Sequence, residues 1–203
     1  MYDYLIDTHL HTPASDGHSD YAEILRVASS RGLSALAVTD HGTMAGVGPM
    51  QALAGDFEVE IVPGIEINSG QMHVVGLGVC EPVPNGLGIE KTFHEIDAQD
   101  GLIIIAHPTN GRQIYLSEVA GLLDSYFVGV ECMGIHGGYG VPYKFGNAFK
   151  FCKQYGLPRI GCTDAHRANH VGLIATVCGG ESFSDFRRAF ESAKTDIWVS
   201  RYS

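Results

Sequence analysis

Gly101-Leu102-Ile103-Ile104-Ile105-Ala106-His107-Pro108 is the stretch on which the fold turns. Residues 102–106 are apolar without interruption and rich in β-branched isoleucine. No polar residue alternates through them, so they read as a strand buried on both faces, as strands of parallel sheets are. A histidine stands directly past the last apolar residue.

Working outward, the same arrangement recurs: a short apolar run, a polar cluster, then a helical stretch. Tyr4–Ile6, Ala35–Thr39, Glu58–Ile67, Phe127–Cys132 and Arg159–Gly161 read as strands. Asn68-Ser69-Gly70-Gln71 turns the third of these into a hairpin with Met72–Val79. Leu173–Val177 and Ile197–Val199 are late strands. A helix is predicted over Asp20–Arg31, where Asp20 and Glu23 are spaced as a capping box and Gly32 is the stop. Further helices are predicted near Gly46–Ala54, Ile89–Asp100, Leu116–Leu123, Tyr143–Tyr155 and Ser184–Lys194. Strand–helix alternation at this spacing indicates a parallel α/β architecture, and a count of about seven strands suggests a barrel rather than an open sheet.

Composition bounds the rest. With 203 residues, 45% hydrophobic and 18% charged, the chain reads as one globular domain over residues 1–203. No apolar run approaches bilayer length, and Met1-Tyr2-Asp3-Tyr4 lacks the basic start of a signal peptide, so a cytoplasmic protein with no membrane partner is expected. The five cysteines form no CxxC pair and read as reduced, mostly buried thiols. A formal charge of -10 and the lack of a basic stripe with interleaved aromatics disfavour an extended nucleic-acid surface. Bound divalent cations would reverse the local sign, which suits a small phosphorylated substrate.

Ten histidines are more informative. His9 and His11 follow strand one, Asp40 and His41 strand two, Glu66 ends strand three, and His107 follows the isoleucine run. Glu131 ends the next strand, and Asp164 and His166 follow the short one after it. Parallel barrels and sheets place active sites at these C-terminal strand ends, so groups distant in sequence converge at one mouth. His9 and His11 are two apart, which on extended backbone points both rings the same way, and Asp164 and His166 repeat the spacing. Taken singly, each residue is more readily a turn former or helix cap. Six strand ends in succession are not explained by capping. Imidazole with carboxylate suits Zn, Mn or Fe, with Glu66 the natural bridge between ions. His73, within an apolar strand, either faces the site or satisfies a core hydrogen bond; His18 and His170 stand equally open, and His94 reads as solvated.

Asp7-Thr8-His9-Leu10-His11-Thr12, Ser15-Asp16-Gly17, Thr39-Asp40-His41, Pro63-Gly64-Ile65-Glu66, Ala106-His107-Pro108 and Thr163-Asp164-Ala165-His166 together resemble the ordered motifs of the PHP (polymerase and histidinol phosphatase) family. The resemblance runs from Asp7 to at least His166. It implies a distorted seven-stranded, TIM-like α/β barrel holding a trinuclear site of two to three divalent ions. By motif match the ligands are His9, His11, Asp16, His41, Glu66, His107, Asp164 and His166, with a further ligand after strand five supplied by Glu131 or His136. The implied reaction is phosphoester hydrolysis, on a small phosphomonoester or a nucleic-acid terminus, by hydroxide generated at the ions and without a covalent enzyme intermediate. Asp164, His166 and His41 are candidates for passing a proton to the leaving group. Arg112 and Arg167, near the motifs, are candidates for gripping phosphate, with Lys144 a weaker third and the glycine-rich 134–140 loop a candidate cover. Two other classes compete: an amidohydrolase-type metal hydrolase on a similar barrel, and a non-catalytic metal-binding accessory subunit of a nucleic-acid-processing complex. Oligomeric state is not readable from the sequence.

Overall fold

The isoleucine run is buried on both faces, as its sequence demands. A computed structural model of the chain describes residues 3–70, 72–108, 113–136 and 141–200, with the side chains of residues 113–115 and 136 also outside the described set. In it the run forms β5 (Leu102–Ile105). Leu102 and Ile104 pack inward with Tyr4, Ile6, Ala37 and Ile160, whereas Ile103 and Ile105 face the helices with Phe93 and Val119.

Ten strands, among the described residues, form one sheet: β1 (Asp3–Asp7), β2 (Ala35–Val38), β3 (Glu60–Asn68), β4 (His73–Leu77), β5, β6 (Val128–His136), β7 (Val141–Lys144), β8 (Arg159–Gly161), β9 (Ile174–Gly179) and β10 (Asp196–Val199). Six α-helices accompany them: α1 (Tyr21–Ser30), α2 (Val47–Ala54), α3 (Ile89–Asp97), α4 (Gln113–Ala120), α5 (Ala148–Tyr155) and α6 (Phe183–Glu191). The strand order is β10-β9-β1-β2-β3-β4-β5-β6-β7, with β8 on β6. The edges come together where Thr176 Oγ1 accepts the Gly161 N–H at 3.0 Å and donates to the Gly161 carbonyl at 2.8 Å. One side chain stands in for a backbone ladder between β8 and β9, and the sheet is a nearly closed barrel.

The sheet differs from the sequence expectation in two respects. It carries ten strands where about seven are expected, and it is mixed rather than parallel. β1–β2–β3 and β5–β6–β8 are parallel, but β4 runs antiparallel between β3 and β5, and β9 antiparallel to β1. Hairpins account for both differences. The expected β3–β4 turn is closed by the Ser69 N–H to the Met72 carbonyl at 2.9 Å, with Gly70 at φ 102°. β7 was hidden at the head of a predicted helix. Val141-Pro142-Tyr143-Lys144 pairs antiparallel with an extended β6, and α5 starts only at Ala148. Proline sits here without penalty because β7 is an edge strand.

α1 keeps its predicted start, with the Asp20 carboxylate accepting the Glu23 N–H at 2.7 Å. α6 places Phe186 and Phe190, both fully buried, into the inner cluster near Gly129 at the start of β6. It thereby plugs the N-terminal end of the parallel strands and leaves the opposite end open. Among the cysteines, Cys80 is exposed and the other four are buried free thiols. No helix among the described residues is long and apolar enough to cross a membrane.

Candidate metal centre

At the open end, six histidines and four carboxylates meet. His9 and His11 extend from β1 with Leu10 between them turned into the outer core, so both rings face inward as the two-residue spacing predicts. The segment is anchored on its neighbour, since Leu10 N donates to Thr39 Oγ1 at 3.0 Å and Thr39 Oγ1 donates back to the Leu10 carbonyl at 3.0 Å.

Glu66 lies at the centre. Its Oε2 is 2.8 Å from His41 Nδ1 and 3.3 Å from both His9 Nε2 and His11 Nε2. Its Oε1 is 2.8 Å from His73 Nδ1 and 3.0 Å from His107 Nε2. His11 Nε2 also lies 3.0 Å from Asp164 Oδ1, and His166 Nε2 3.2 Å from Asp16 Oδ2. The site is graded in depth: His9, His11 and Glu66 are buried, whereas Asp16 and His41 are exposed at the mouth.

Two carboxylates do structural work around these groups. Asp40 accepts Thr12 N–H, Thr12 Oγ1 and Ser15 Oγ at 2.8, 2.7 and 2.6 Å, which shapes the loop that delivers Asp16. Asp7 accepts Thr163 N–H, Thr163 Oγ1 and Gly172 N–H, which ties β1 to the segment carrying Asp164 and His166. Burial raises the Asp7 carboxyl to about 6 despite these bonds. Neither role was visible in the sequence, where Asp40 looks like a further member of the strand-end pattern and Asp7 only opens the motif that carries His9 and His11.

Two ligand candidates stand on left-handed backbone, His107 at φ 27° and Asp164 at φ 50°. A non-glycine residue held there costs about 1–3 kcal/mol and persists only where its surroundings fix it. Glu131 is one such fixture. Its Oε2 accepts the His107 backbone N–H, while its Oε1 meets His9 Nδ1 at 2.7 Å.

Charge is distributed in the way a cation would need. Burial pushes Glu66 up, but His9, His107, His41 and His73 together drive it far below the ordinary carboxylate range. Burial pushes His9 down, but Glu66, Glu131 and Asp164 hold it well above its ordinary value. Asp164 is likewise depressed, burial being outweighed by His9 and His11. Glu66 Oε2 meets its histidines, His41 Nδ1 nearest at 2.8 Å, as ion pairs rather than well-aligned hydrogen bonds, His11 Nδ1 is buried with no hydrogen-bond partner, and His9 Nε2 faces His11 Nε2 at 3.2 Å. Buried acceptors facing one another without donors are costly unless a cation lies between them. The residues present therefore fit divalent ions. Groups offering one ligand atom each within 4.8 Å are His11/Asp16/His41/His166, His9/His11/Asp164, His9/Glu66/His107, His41/Glu66/His73 and His9/Glu131/Cys162.

The structure thus brings together His9, His11, Asp16, His41, Glu66, His107, Asp164 and His166. It adds His73, which the sequence had left open. Cys162, read from sequence as an inert buried thiol, hydrogen-bonds His9, and burial pushes its thiol up. The signal for it was present in its position one residue before Thr163-Asp164. Lys144 stands over the Phe149 ring at 5.7 Å, and His94 is exposed on α3. Arg112, Gly137, Gly138, Gly140 and the side chain of His136 lie outside the described residues. A groove of about 630 Å³ between α4 and α5, lined by Leu116, Phe151 and Tyr155 among others, has no histidine or carboxylate among the described residues of its lining. The chemistry is not there. A smaller cavity of about 260 Å³ opens directly beside Asp164 and His166.

Comparison with known proteins agrees with this geometry. The family described as PHP domain matches residues 7–132, and the one described as PHP-associated matches residues 144–195. An uncharacterized protein of Methanocaldococcus jannaschii is 35% identical over 113 residues, covering 50% of this chain and 66% of that protein. The phosphoribosyl 1,2-cyclic phosphate 1,2-diphosphodiesterase of Eggerthella lenta is 36% identical over 84 residues, covering 38% of this chain and 32% of the enzyme. A 5'-3' exoribonuclease of Haemophilus influenzae is 35% identical over 82 residues, 38% of this chain and 30% of that one. The chain therefore spans about a third of the length of these two enzymes. Among solved structures, a two-domain protein from Bacteroides vulgatus containing a predicted PHP-like metal-dependent phosphoesterase superposes with TM-score 0.79 at 18% identity, over 98% of this chain and 65% of that one. An amidohydrolase from Chromobacterium violaceum gives TM-score 0.69 at 17% identity, over 96% of this chain and 97% of that one. At these identities the two structures show the fold alone.

Proposed function

The chain belongs to the PHP family, and from that premise we propose that it is a metal-dependent phosphoesterase acting on a small phosphomonoester or a nucleic-acid terminus. The observation that carries the reading is Glu66, a buried carboxylate with five histidine nitrogens within 3.3 Å of its two oxygens. Such a group would be able to hold more than one cation.

His9, His11, Asp16, His41, Glu66, His73, His107, Asp164 and His166 would hold two or three Zn, Mn or Fe ions. Bound there, the ions would supply Lewis acidity toward phosphate oxygens and lower the pKa of water toward neutrality. Glu131 serves as an outer carboxylate rather than a ligand, because both of its oxygens are engaged by His9 Nδ1 and the His107 N–H. By engaging His9 Nδ1 it would leave Nε2 free to hold an ion, and it steadies the left-handed turn at His107. Asp16, His41 and His166 lie at the open rim where a phosphate ester would enter, and of His41 and His166 one left out of the ion-holding set would hand a proton to the departing oxygen. Arg112 and Arg167 are the proposed phosphate grips. The unbroken sheet through both matched segments supports treating residues 1–203 as one catalytic domain.

The test is metal content per chain after gentle purification, by inductively coupled plasma mass spectrometry, alongside turnover of p-nitrophenyl phosphate. Two to three transition-metal ions, fewer in His9→Ala, with phosphatase activity tracking metal content, is the expected result. Protein that takes up none of Mn, Zn or Fe sinks the proposal.

A further inference from the structure

α5 is apolar on two sides. Ala148 and Cys152 are buried in the core with Cys132 and Val130 of β6. Lys150, Phe151 and Tyr155 instead wall the groove of about 630 Å³ that α5 forms with Leu116 and Ala120 of α4. The rings of Phe151 and Tyr155, one turn apart, have centroids 4.8 Å from each other. Tyr155 is 41% exposed, one of four large hydrophobic side chains left so open among the described residues. A helix that carries an aromatic pair outside the core presents an apolar face still to be covered.

The charge here runs against that of the rest of the chain. Between Glu131 and Asp164 there is no acidic residue, whereas Lys144, Lys150, Lys153 and Arg159 fall in that stretch, on a chain of net charge -10. Arg159 is paired with Asp196, and Lys144 stands over the Phe149 ring. Lys150, on the groove wall, and Lys153 are exposed. The ion pairs of arginine and lysine among the described residues engage Arg159, Arg187 and Arg188 and leave both of these lysines out. The one acid of α4, Glu118, does not line the groove.

Apolar lining and unpaired positive charge together select the occupant. A second copy seated by two-fold symmetry would set the lysines of both protomers against each other, a like-charge contact. A nucleic-acid strand is held by several phosphate contacts along a basic track, and only two lysines border these apolar side chains. Apolar anchors flanked by carboxylates satisfy both features. We propose that the α4–α5 groove docks an acidic amphipathic segment of another protein. Its apolar side chains seat on Leu116, Phe151 and Tyr155, and its carboxylates meet Lys150 and Lys153, the usual division between anchors in a groove and a charged rim. No residue of the metal centre lines the groove, so docking and hydrolysis are separable by mutation.

The experiment pans a random-peptide phage library against the native chain, counter-selecting on the Lys150→Glu/Tyr155→Ala double variant, and measures Kd of the enriched peptides by fluorescence anisotropy. Lys150→Glu and Tyr155→Ala change exposed side chains and should keep the native Tm and turnover of p-nitrophenyl phosphate. Lys150→Gln, which removes only the charge, carries the test if the reversal disturbs α5. Enriched peptides should combine aspartate or glutamate with leucine or aromatic residues. Each single variant should bind them about tenfold or more weakly, and high salt should weaken binding to the native chain. No enrichment, enriched peptides without acids, or equal binding by native and variant chains overturns the proposal. Gel filtration of the chain across concentration and anisotropy with poly(U) address the rival occupants. A dimer or RNA binding that Lys150→Glu or Tyr155→Ala abolishes would assign the groove to that occupant and overturn the proposal as well.

Discussion

Glu131 Oε1 lies 2.7 Å from His9 Nδ1, so the carboxylate approaches His9 on the side of the ring facing away from Glu66. A carboxylate behind a ligating histidine fixes its tautomer and orientation, and its loss typically weakens metal binding about 10–100-fold. In Glu131→Gln one amide oxygen can still meet His9, but the amide nitrogen would face the His107 N–H, donor against donor. The variant should bind the same number of ions at saturating Mn with affinity reduced by about that factor. Competition with a fluorescent chelator measures affinity, and mass spectrometry the count. Loss of a whole ion at saturation would make Glu131 a ligand instead.

The pH dependence of stability should differ between metal-stripped and loaded protein. In the side-chain cluster alone, His9 and His107 are raised above 6.5, burial being outweighed by Glu66 and Glu131. A raised histidine contributes stability that is complete below 6.5 and lost as pH climbs through the folded value. Glu66 and Asp164 are depressed below 4.5 and 3.8, and their contribution is complete above those values and lost on acidification. The stripped protein should therefore be most stable at about pH 5–6.5, by the same linkage. Loading reverses the alkaline limb, since ligand histidines must be neutral to bind and protons are then competitors. Thermal melts across pH 4–9 with EDTA or Mn read both curves. A stripped protein whose Tm climbs steadily from pH 6 to 8 would contradict the assignment.

Much of this site was legible because strand-end residues are written in a fixed relation to apolar runs. Leu102–Ala106 announces a strand buried on both faces, and His107 follows it wherever the sheet goes. The hairpin at β4 was legible for the same reason, through Asn68-Ser69-Gly70. What stayed hidden depends on partners distant in sequence. β7 is a short, largely exposed strand whose identity comes from pairing with β6, and nothing in Val141-Pro142-Tyr143-Lys144 distinguishes it from a helix lead-in. Asp7 and Asp40 carry the same side-chain chemistry as the ligand candidates, and only their donors show that they hold loop backbone and hydroxyls.

Gly46 tests the loop that Asp40 organises. A Cβ there would lie 2.2 Å from Asp40 Oδ2 and 2.4 Å from Thr12 Oγ1, inside the contact that shapes the Thr12–Asp16 turn. Gly46→Ala should cost about 1–3 kcal/mol, the usual penalty for overpacking a well-filled site. It should also weaken metal binding, because Asp16 is delivered by that turn. Gly48→Ala, two residues on with nothing within 4 Å of the added methyl, is the control and should be neutral or slightly stabilising. Equal melting temperatures for the two variants would show that the turn adapts.

The seam between β8 and β9 makes the last case. Thr176 Oγ1 is both acceptor and donor for the Gly161 backbone, and Gly161 itself is dictated by approach, since a Cβ would lie 2.6 Å from Ile197 Cγ2. Thr176→Val keeps the shape but leaves a buried N–H and carbonyl unpaired. Each unsatisfied group costs about 1–3 kcal/mol, and at this chain length a loss of that size lowers Tm by on the order of 10 °C. Thr176→Ser retains the hydroxyl and gives up one methyl, so it should fall by a fraction of that. Hydrogen exchange at the Gly161 amide separates seam opening from general destabilisation: it should accelerate far more than the β5 amides in the valine variant. Equal acceleration throughout would mean that the barrel is closed by packing against Ile174 and Ile197, with the hydroxyl incidental.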